Sequence, residues 1–284
     1  MVNEKQNFTH FKIHTQYSIC EGAIKIVDLA KFCKENKIRS IGISDSFNLC
    51  GALEFSEEIS KVGTQPIIGS QINFKFQNII GKIPVFASTE KGFNNLTKLS
   101  SKSYLDVDHS MLPHCSLNEL LNNNDGLIIT SGSLDSLFNK LLQTNNLKHI
   151  EEFIFNIKNT FSDRFYFEIQ RHNDIGERSF ENSSLNYSKK FKIPLIASQE
   201  VFYLEHDMFE AHDALICIGE KTYIDEKNRK RYSKEHYLKT FADLKNIYQD
   251  LPEALENNYN FPFRFSYKLK KSKPNLPSIK ILSD

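Results

Sequence analysis

The sequence predicts an α/β fold with a largely parallel sheet, closing as a barrel of about seven strands. Three observations carry this reading. Short apolar runs alternate with amphipathic stretches along most of the chain. Runs such as 126–130 are apolar at nearly every position, the pattern of a strand covered on both faces. No G-x-G-x-x-G opens a helix and no G-x-x-x-x-G-K-[ST] occurs, so a dinucleotide fold is disfavoured and a P-loop is absent.

The elements follow in order. Residues 8–13 are apolar at alternate positions and read as a strand. Residues 24–37 carry Ile26, Val27, Leu29, Ala30, Phe32 and Cys33 at helical spacing. A short strand at 40–44 is followed by a helix at 51–62, with Leu53, Phe55 and Ile59 near one face. Strands are predicted at 65–76 and 79–87, then helices at 90–99 and 117–121. The strand at 126–130 ends on Ser131-Gly132. Helices at 133–142 and 147–160 precede an aromatic-rich strand at 164–170, where β-propensity is strong. A helix at 178–191, a short strand at 194–197 and a His- and Asp-rich helix at 206–218 complete the pattern. The tail from Phe241 holds two short helices split near Pro252. Around 262–277 the chain turns basic and Pro-punctuated, with Lys268, Lys270, Lys271 and Lys273, which reads as a linker leaving a domain. The division is therefore 1–267 as the domain and 268–284 as the start of a linker. The chain is expected to be the front part of something longer.

Composition narrows the function classes. Thirty-six basic residues against thirty-five acidic leave a net charge of +1 in 284 residues. A globally basic nucleic-acid glove and an acidic solvating tail are both excluded. No apolar stretch is long enough for a membrane span, and the polar residues 1–7 lead into no signal-like apolar region. Five scattered cysteines with no C-x-x-C pair read as free thiols in a reducing cytoplasm.

Polar and ionisable groups recur at strand ends, the arrangement of a barrel active site or of its remains. His10, Lys12 and His14 alternate along the first strand and share a face. Asp45 follows the second strand, where it can ligate a metal or cap the next helix. Glu168 and Gln170 share a strand face, with His172 just beyond, and Glu200 follows another short strand. His212 and Asp213 are adjacent on a helix and diverge by about 100°, so a surface or capping role is expected rather than chelation.

The same segments resemble a known family. The matches are F-x-H-F-K-I-H-T-Q-Y-S-I-C-E-G-A at 8–23, S-D-S-F-N-L-C-G-A-L-E-F-S at 44–56 and Q-P-I-I-G-S-Q at 65–71. They continue with G-F-N-N-L-T-K-L-S at 92–100, D-G-L-I-I-T-S-G at 125–132 and D-R-F-Y-F-E-I-Q-R-H at 163–172. The last are E-A-H-D-A-L-I-C-I at 210–218, D-L-P-E-A-L-E-N at 250–257 and K-P-N-L-P at 273–277. Together they resemble the N-terminal PHP (polymerase and histidinol phosphatase) domain of bacterial DNA polymerase III alpha subunits, with residue choices closest to alphaproteobacterial versions.

That resemblance implies a distorted TIM-like (β/α) barrel with a metal cleft at the strand carboxyl ends, lined by His, Asp and Glu and capable of metal-assisted phosphoester hydrolysis. This chain departs from the pattern. Lys12 replaces the first imidazole of a His-x-His pair and His14 keeps the second. Glu21 stands for an Asp. Asp45 is kept, but the next His has become Ser46. Gln71 replaces a Glu, Lys82 a His, and Phe202 the late imidazole after Glu200. His172 is kept. A protonated Lys has no lone pair and adds positive charge where a cation would sit, and Phe has no donor. The expectation is a vestigial cleft (His14, Glu21, Asp45, His172 and Glu200) without bound metal, in which Lys12 or Lys82 neutralises Asp45 or Glu200. No cofactor is expected in this domain.

The implied function is that of a structural, partner-docking domain of a replicative DNA-directed DNA polymerase. Magnesium would belong to the parent polymerase, and DNA would be held mainly by a core absent from this chain. The implied partners are a separate epsilon proofreading exonuclease and the rest of the alpha subunit. Two alternatives stand beside it: an active metal-dependent phosphoesterase or 3′–5′ exonuclease, and a stand-alone enzyme of the histidinol phosphatase type.

Overall fold

A computed structural model describes residues 8–108 and 110–273. Residues 1–7, the last part of the expected linker and the 274–277 part of the K-P-N-L-P match lie outside the described residues.

The chain runs β1 (Lys12–Ile13), α1 (Ile26–Glu35), β2 (Ser40–Ser46), α2 (Ala52–Lys61), β3 (Gln65–Phe76) and β4 (Ile79–Ala87). It continues with α3 (Glu90–Leu105), β5 (Cys115–Ser116), α4 (Leu117–Asn122), β6 (Leu127–Thr130), α5 (Leu137–Gln143) and α6 (Leu147–Phe161). Next come β7 (Phe165–Ile169), α7 (Glu177–Phe191), β8 (Leu195–Ala197), β9 (Glu200–Val201), α8 (Phe209–Glu220), α9 (Phe241–Ile247) and α10 (Pro252–Asn260). The predicted bounds of β3 and β4 are those observed. The helix predicted from 133 starts later, because Ser136 is its cap: its side chain accepts from the Asn139 amide. The helix predicted to end at 99 runs on to Leu105, where no breaker intervenes. The strand predicted at 8–13 is regular only at Lys12–Ile13.

Neighbouring strands follow the order β8-β7-β6-β4-β3-β2-β1-β9, with β5 added beside β3. The order begins on β8 and ends on β9, two segments separated only by Ser198 and Gln199. They act as one broken stave, so the ring has seven, as the sequence predicts. The Tyr248 hydroxyl lies 2.6 Å from the Ser198 carbonyl and 3.2 Å from that of Ile169, spanning the break. One expectation needs correction. The sheet is not parallel throughout: β4 is antiparallel to both β3 and β6. A two-residue turn at Gln77-Asn78, with Gln77 at φ 54°, folds β4 straight back along β3. No helix among the described residues is long and apolar enough to cross a membrane.

Alternation along each strand turns every second residue inward. The inward series change from apolar to polar toward one end: Ile67-Gly69-Gln71, Ile128-Thr130, Tyr166-Glu168-Gln170 and Ile196-Ser198-Glu200. Because β4 is reversed, its series reads Lys82-Pro84-Phe86. The apolar ends meet as one buried cluster of Phe11, Ile67, Phe86, Ile128, Tyr166 and Ile196, plugged by Phe261 and Phe265 from the tail. Gly69 is required there, since a Cβ would lie 2.4 Å from the Phe86 ring. The polar ends gather at the opposite mouth. Beyond the tail plug the chain runs along α2: Ser56 Oγ donates to the Leu269 carbonyl at 2.8 Å, and Lys271 pairs with Glu57 at 3.1 Å.

Candidate functional site

The deepest layer of the mouth is an ion-pair cluster. Lys12 Nζ, wholly buried, lies 3.0 Å from Glu168 Oε1 and 3.5 Å from Glu200 Oε2. Strand β7 points Glu168 inward, and the β1–β9 register sets Lys12 opposite Glu200. Thr130 Oγ1 donates to Glu168 Oε2 at 2.5 Å, and the Gln170 amide donates to Glu168 Oε1. Burial opposes the Lys12 charge, but Glu168 and Glu200 outweigh it and raise its pKa. Burial likewise opposes ionisation of Glu200, yet Lys12 and then His14 hold it well below the ordinary carboxylate range.

The next layer rests on Glu200 and Glu21. His14 Nε2 and Gln71 Nε2 both donate to Glu200 Oε1, at 2.9 and 2.6 Å, while Ser133 Oγ donates to Oε2 at 3.0 Å. The Phe202 ring packs 4.6 Å from the His14 ring. Lys82 Nζ reaches Glu21 Oε1 at 3.4 Å and Asp135 Oδ2 at 2.8 Å. Ser46 Oγ donates to Glu21 Oε2 at 2.5 Å, and Tyr232 to Oε1 at 3.2 Å. Although burial opposes it, Lys82, His14 and Lys230 bring the Glu21 carboxyl down to about 2. Asp45 stands apart. It accepts from the Thr15 amide (2.7 Å), Thr15 Oγ1 (2.8 Å) and Ser18 Oγ (2.7 Å), and burial pushes its pKa up.

The structure therefore brings Lys12, His14, Glu21, Ser46, Gln71, Lys82, Glu200 and Phe202 together. The expected pairing of a lysine with Glu200 is present. The alternative pairing with Asp45 is not: Asp45 is held by hydroxyls and a backbone amide. His10 departs from the shared face and bonds the Lys239 carbonyl at 3.0 Å. His212 and Asp213, expected at the surface, are buried. His212 bonds the Glu21 carbonyl at 2.8 Å, and Asp213 forms a two-pronged pair with Arg229 at 2.6 Å.

The donor set does not suit the metal cluster that the resemblance implies. Two ammonium groups sit among the carboxylates, and the Phe202 ring against His14 offers no donor atom. A dication 4 Å from Lys12 Nζ would meet a repulsion of roughly 8 kcal/mol at an effective dielectric of about 20.

Sequence reasoning missed the lid of this mouth. Lys230, Arg231, Tyr232, Ser233 and His236, from the irregular segment after α8, line a cavity of about 510 Å³ with Asp135, Gln170, Asp174, Glu177 and Glu200. Nothing in the local pattern aims this segment at the mouth. The mixed basic and aromatic residues at 229–237 carry neither helical nor strand periodicity. His172 lies beneath the lid, with its Nε2 accepting from the Glu200 amide at 3.2 Å.

Comparison with known proteins gives a consistent result. The PHP domain family profile matches residues 10–172. A DNA polymerase III subunit alpha from Caulobacter vibrioides is 31% identical, over 97% of this chain and 25% of its own length. The subunit from Rickettsia bellii is 31% identical over 95% of this chain and 23% of its own. That from Borreliella burgdorferi is 32% identical over 98% and 25%. The chain spans about a quarter of the length of these relatives. Among solved structures, a two-domain protein from Bacteroides vulgatus described as containing a PHP-like metal-dependent phosphoesterase aligns with a TM-score of 0.44 at 10% identity, over 84% of this chain and 62% of that one.

Proposed function

The chain belongs to the PHP domain family and is homologous to DNA polymerase III alpha subunits, and on that footing we propose that it serves as a non-catalytic structural domain of such a subunit. In this reading the parent protein is a replicative DNA-directed DNA polymerase. Its nucleotidyl transfer and its magnesium ions belong to the rest of the relatives' length. The domain supplies a docking surface for a separate proofreading exonuclease and works in the cytoplasm.

One observation carries the non-catalytic part: the ion pairs of Lys12 and Lys82, residues that the resemblance sets in place of imidazoles, occupy Glu168, Glu200, Glu21 and Asp135. A carboxylate already neutralised by a buried ammonium is a poor ligand, and a metal-activated water would have nothing to hold it. The test is hydrolysis of a nitrophenyl phosphate ester and of a single-stranded oligonucleotide with manganese added. No turnover above background is expected. Turnover that disappears on His14→Ala would overturn the reading. The docking role is tested by co-elution with the proofreading exonuclease, and absence of a complex would remove it.

A further inference from the structure

The end of the barrel opposite the mouth carries a cationic groove. Phe261 and Phe265 plug that end, and the chain leaving them is fixed against the domain. The Ser266 amide donates to the Ser88 carbonyl at 2.9 Å, and the Leu269 carbonyl accepts from Ser56 Oγ at 2.8 Å. The Leu269 side chain packs on the apolar cluster that includes Phe55 and Ile59 of α2. Lys268 and Lys270, on either side of this anchor, stay exposed.

Two cavities of about 390 and 430 Å³ meet along this segment and share Ser60 and Lys268. Arg39 and Gln65 border the first, and Lys61, Lys270 and Lys271 border the second. The Arg39 carbonyl accepts from the Gln65 amide at 2.8 Å, which sets Arg39 beside the start of β3. Two carboxylates of α2 oppose the cations: Glu58 pairs with Lys61 at 2.5 Å and Glu57 with Lys271 at 3.1 Å. Arg39, Lys268 and Lys270 make no ion pair among the described residues, so the groove keeps a positive surplus within a chain whose net charge is only +1. Ser60 Oγ, at the junction of the two cavities, is buried without a hydrogen-bond partner among the described residues. An exposed aromatic ring accompanies the cations. The Gln65 side-chain amide donates to the Pro262 and Phe265 carbonyls at 3.1 and 3.0 Å, which fixes the turn between them. Phe263 stands in that turn and is 85% exposed.

We propose that the groove lined by Arg39, Lys268 and Lys270 binds the phosphate backbone of a single-stranded nucleic acid, with Phe263 stacking on a base. Cations that track the phosphates beside an aromatic platform are the arrangement that holds single strands without reading their sequence. Exposed, unpaired ammonium and guanidinium groups lose little on meeting phosphate, and the counterions released from the strand drive association. The anchored Leu269 holds Lys268 and Lys270 in place before the strand arrives, which lowers the ordering cost of binding. Ser60 Oγ offers a neutral donor between the two cavities. A duplex hides its base faces in the stack and leaves Phe263 nothing to stack on. An acidic polypeptide supplies charge but no such faces.

The experiment is fluorescence anisotropy of a labelled oligothymidylate of about 20 nucleotides titrated with the chain, with a chelator present. Three phosphate contacts predict a slope of about −2 in log affinity against log salt, a loss of roughly 20-fold between about 50 and 200 mM. Arg39→Gln and Lys268→Gln should each bring that slope closer to zero by about 0.7. Phe263→Ala should weaken binding by about 5-fold or more without changing the slope. Lys190→Gln, which removes the same charge from α7 across the ring, should leave both affinity and slope unchanged. All four side chains are at least partly exposed, so the variants fold. No binding at low salt would overturn the proposal, as would binding indifferent to the three groove variants. Equal affinity for a duplex of the same length, or equal competition by polyglutamate, would also overturn it. The groove lies at the far end from the ion-paired mouth, so these outcomes are separate from the hydrolysis and co-elution assays of the proposed function.

Discussion

At the scale of single residues, the mouth of the barrel is held by charge pairing and hydrogen bonding. Lys12 and Lys82 neutralise carboxylates from inside, Gln71 donates to Glu200, and Phe202 packs against His14. The substituted residues are visible in the sequence one by one, because strand ends and alternation locate them. Their partners are not. Glu168 was legible as sharing a strand face with Gln170 but not as the counter-ion of Lys12, since that pairing depends on the register of β1 against β9 and on closure of the ring. Asp174 and His236 come from loops, whose course no periodicity encodes. Asp45 shows the same limit: it reads equally as ligand or cap, and only the fold reveals Thr15 and Ser18 closing around it. Asp45→Ala leaves the buried Thr15 amide without an acceptor, and a loss of roughly 3 kcal/mol is expected in urea unfolding. A loss within about 0.5 kcal/mol would mean that the carboxylate is not what holds this turn.

At the scale of elements, β3 and β4 were legible to the residue because long β-rich runs are bounded by a two-residue turn. Their direction was not, since strand propensity says nothing about whether a neighbour is parallel. The reversal of β4 brings Lys82 to the mouth from the start of a strand rather than from its end. The break between β8 and β9 is equally invisible locally, since it arises where one stave bonds two different neighbours. Tyr248 spans that break from the loop after α9. Its hydroxyl is wholly buried, and Tyr248→Phe should cost about 1–2 kcal/mol by leaving the Ser198 carbonyl less satisfied. Hydrogen exchange should accelerate at the Ser198 amide, which bonds Ile169. Unchanged exchange would show that the break is held without the tyrosine.

At the scale of the whole molecule, a net charge of +1 hides strong internal sorting, with charges of both signs drawn into the mouth. The fold therefore has a defined response to acid. Burial brings His10 and His212 each down to about 4, and burial with His236 and Lys239 lowers His172 well below its usual value. The unfolded chain takes up these protons near pH 6.5 and the folded chain only lower, so the stability they contribute above 6.5 is lost as pH falls toward 4. Burial raises Glu177 to about 7, so its contribution runs the other way, present below about 4.5 and lost as pH rises through 7. Three histidines against one carboxyl leave about two protons, a slope of roughly 2–3 kcal/mol per pH unit near pH 5.5. Glu21, brought down to about 2, adds a further loss below about 4.5. A melting temperature flat between pH 7 and pH 5 would contradict this account. The central claim is that Lys12 holds the mouth together as its internal counter-ion. The most direct measurement is the unfolding free energy of Lys12→Met against the parent chain. With Glu168 and Glu200 left buried beside an uncharged side chain, a loss of about 3–5 kcal/mol is expected. A Lys12→Met variant as stable as the parent would contradict the claim.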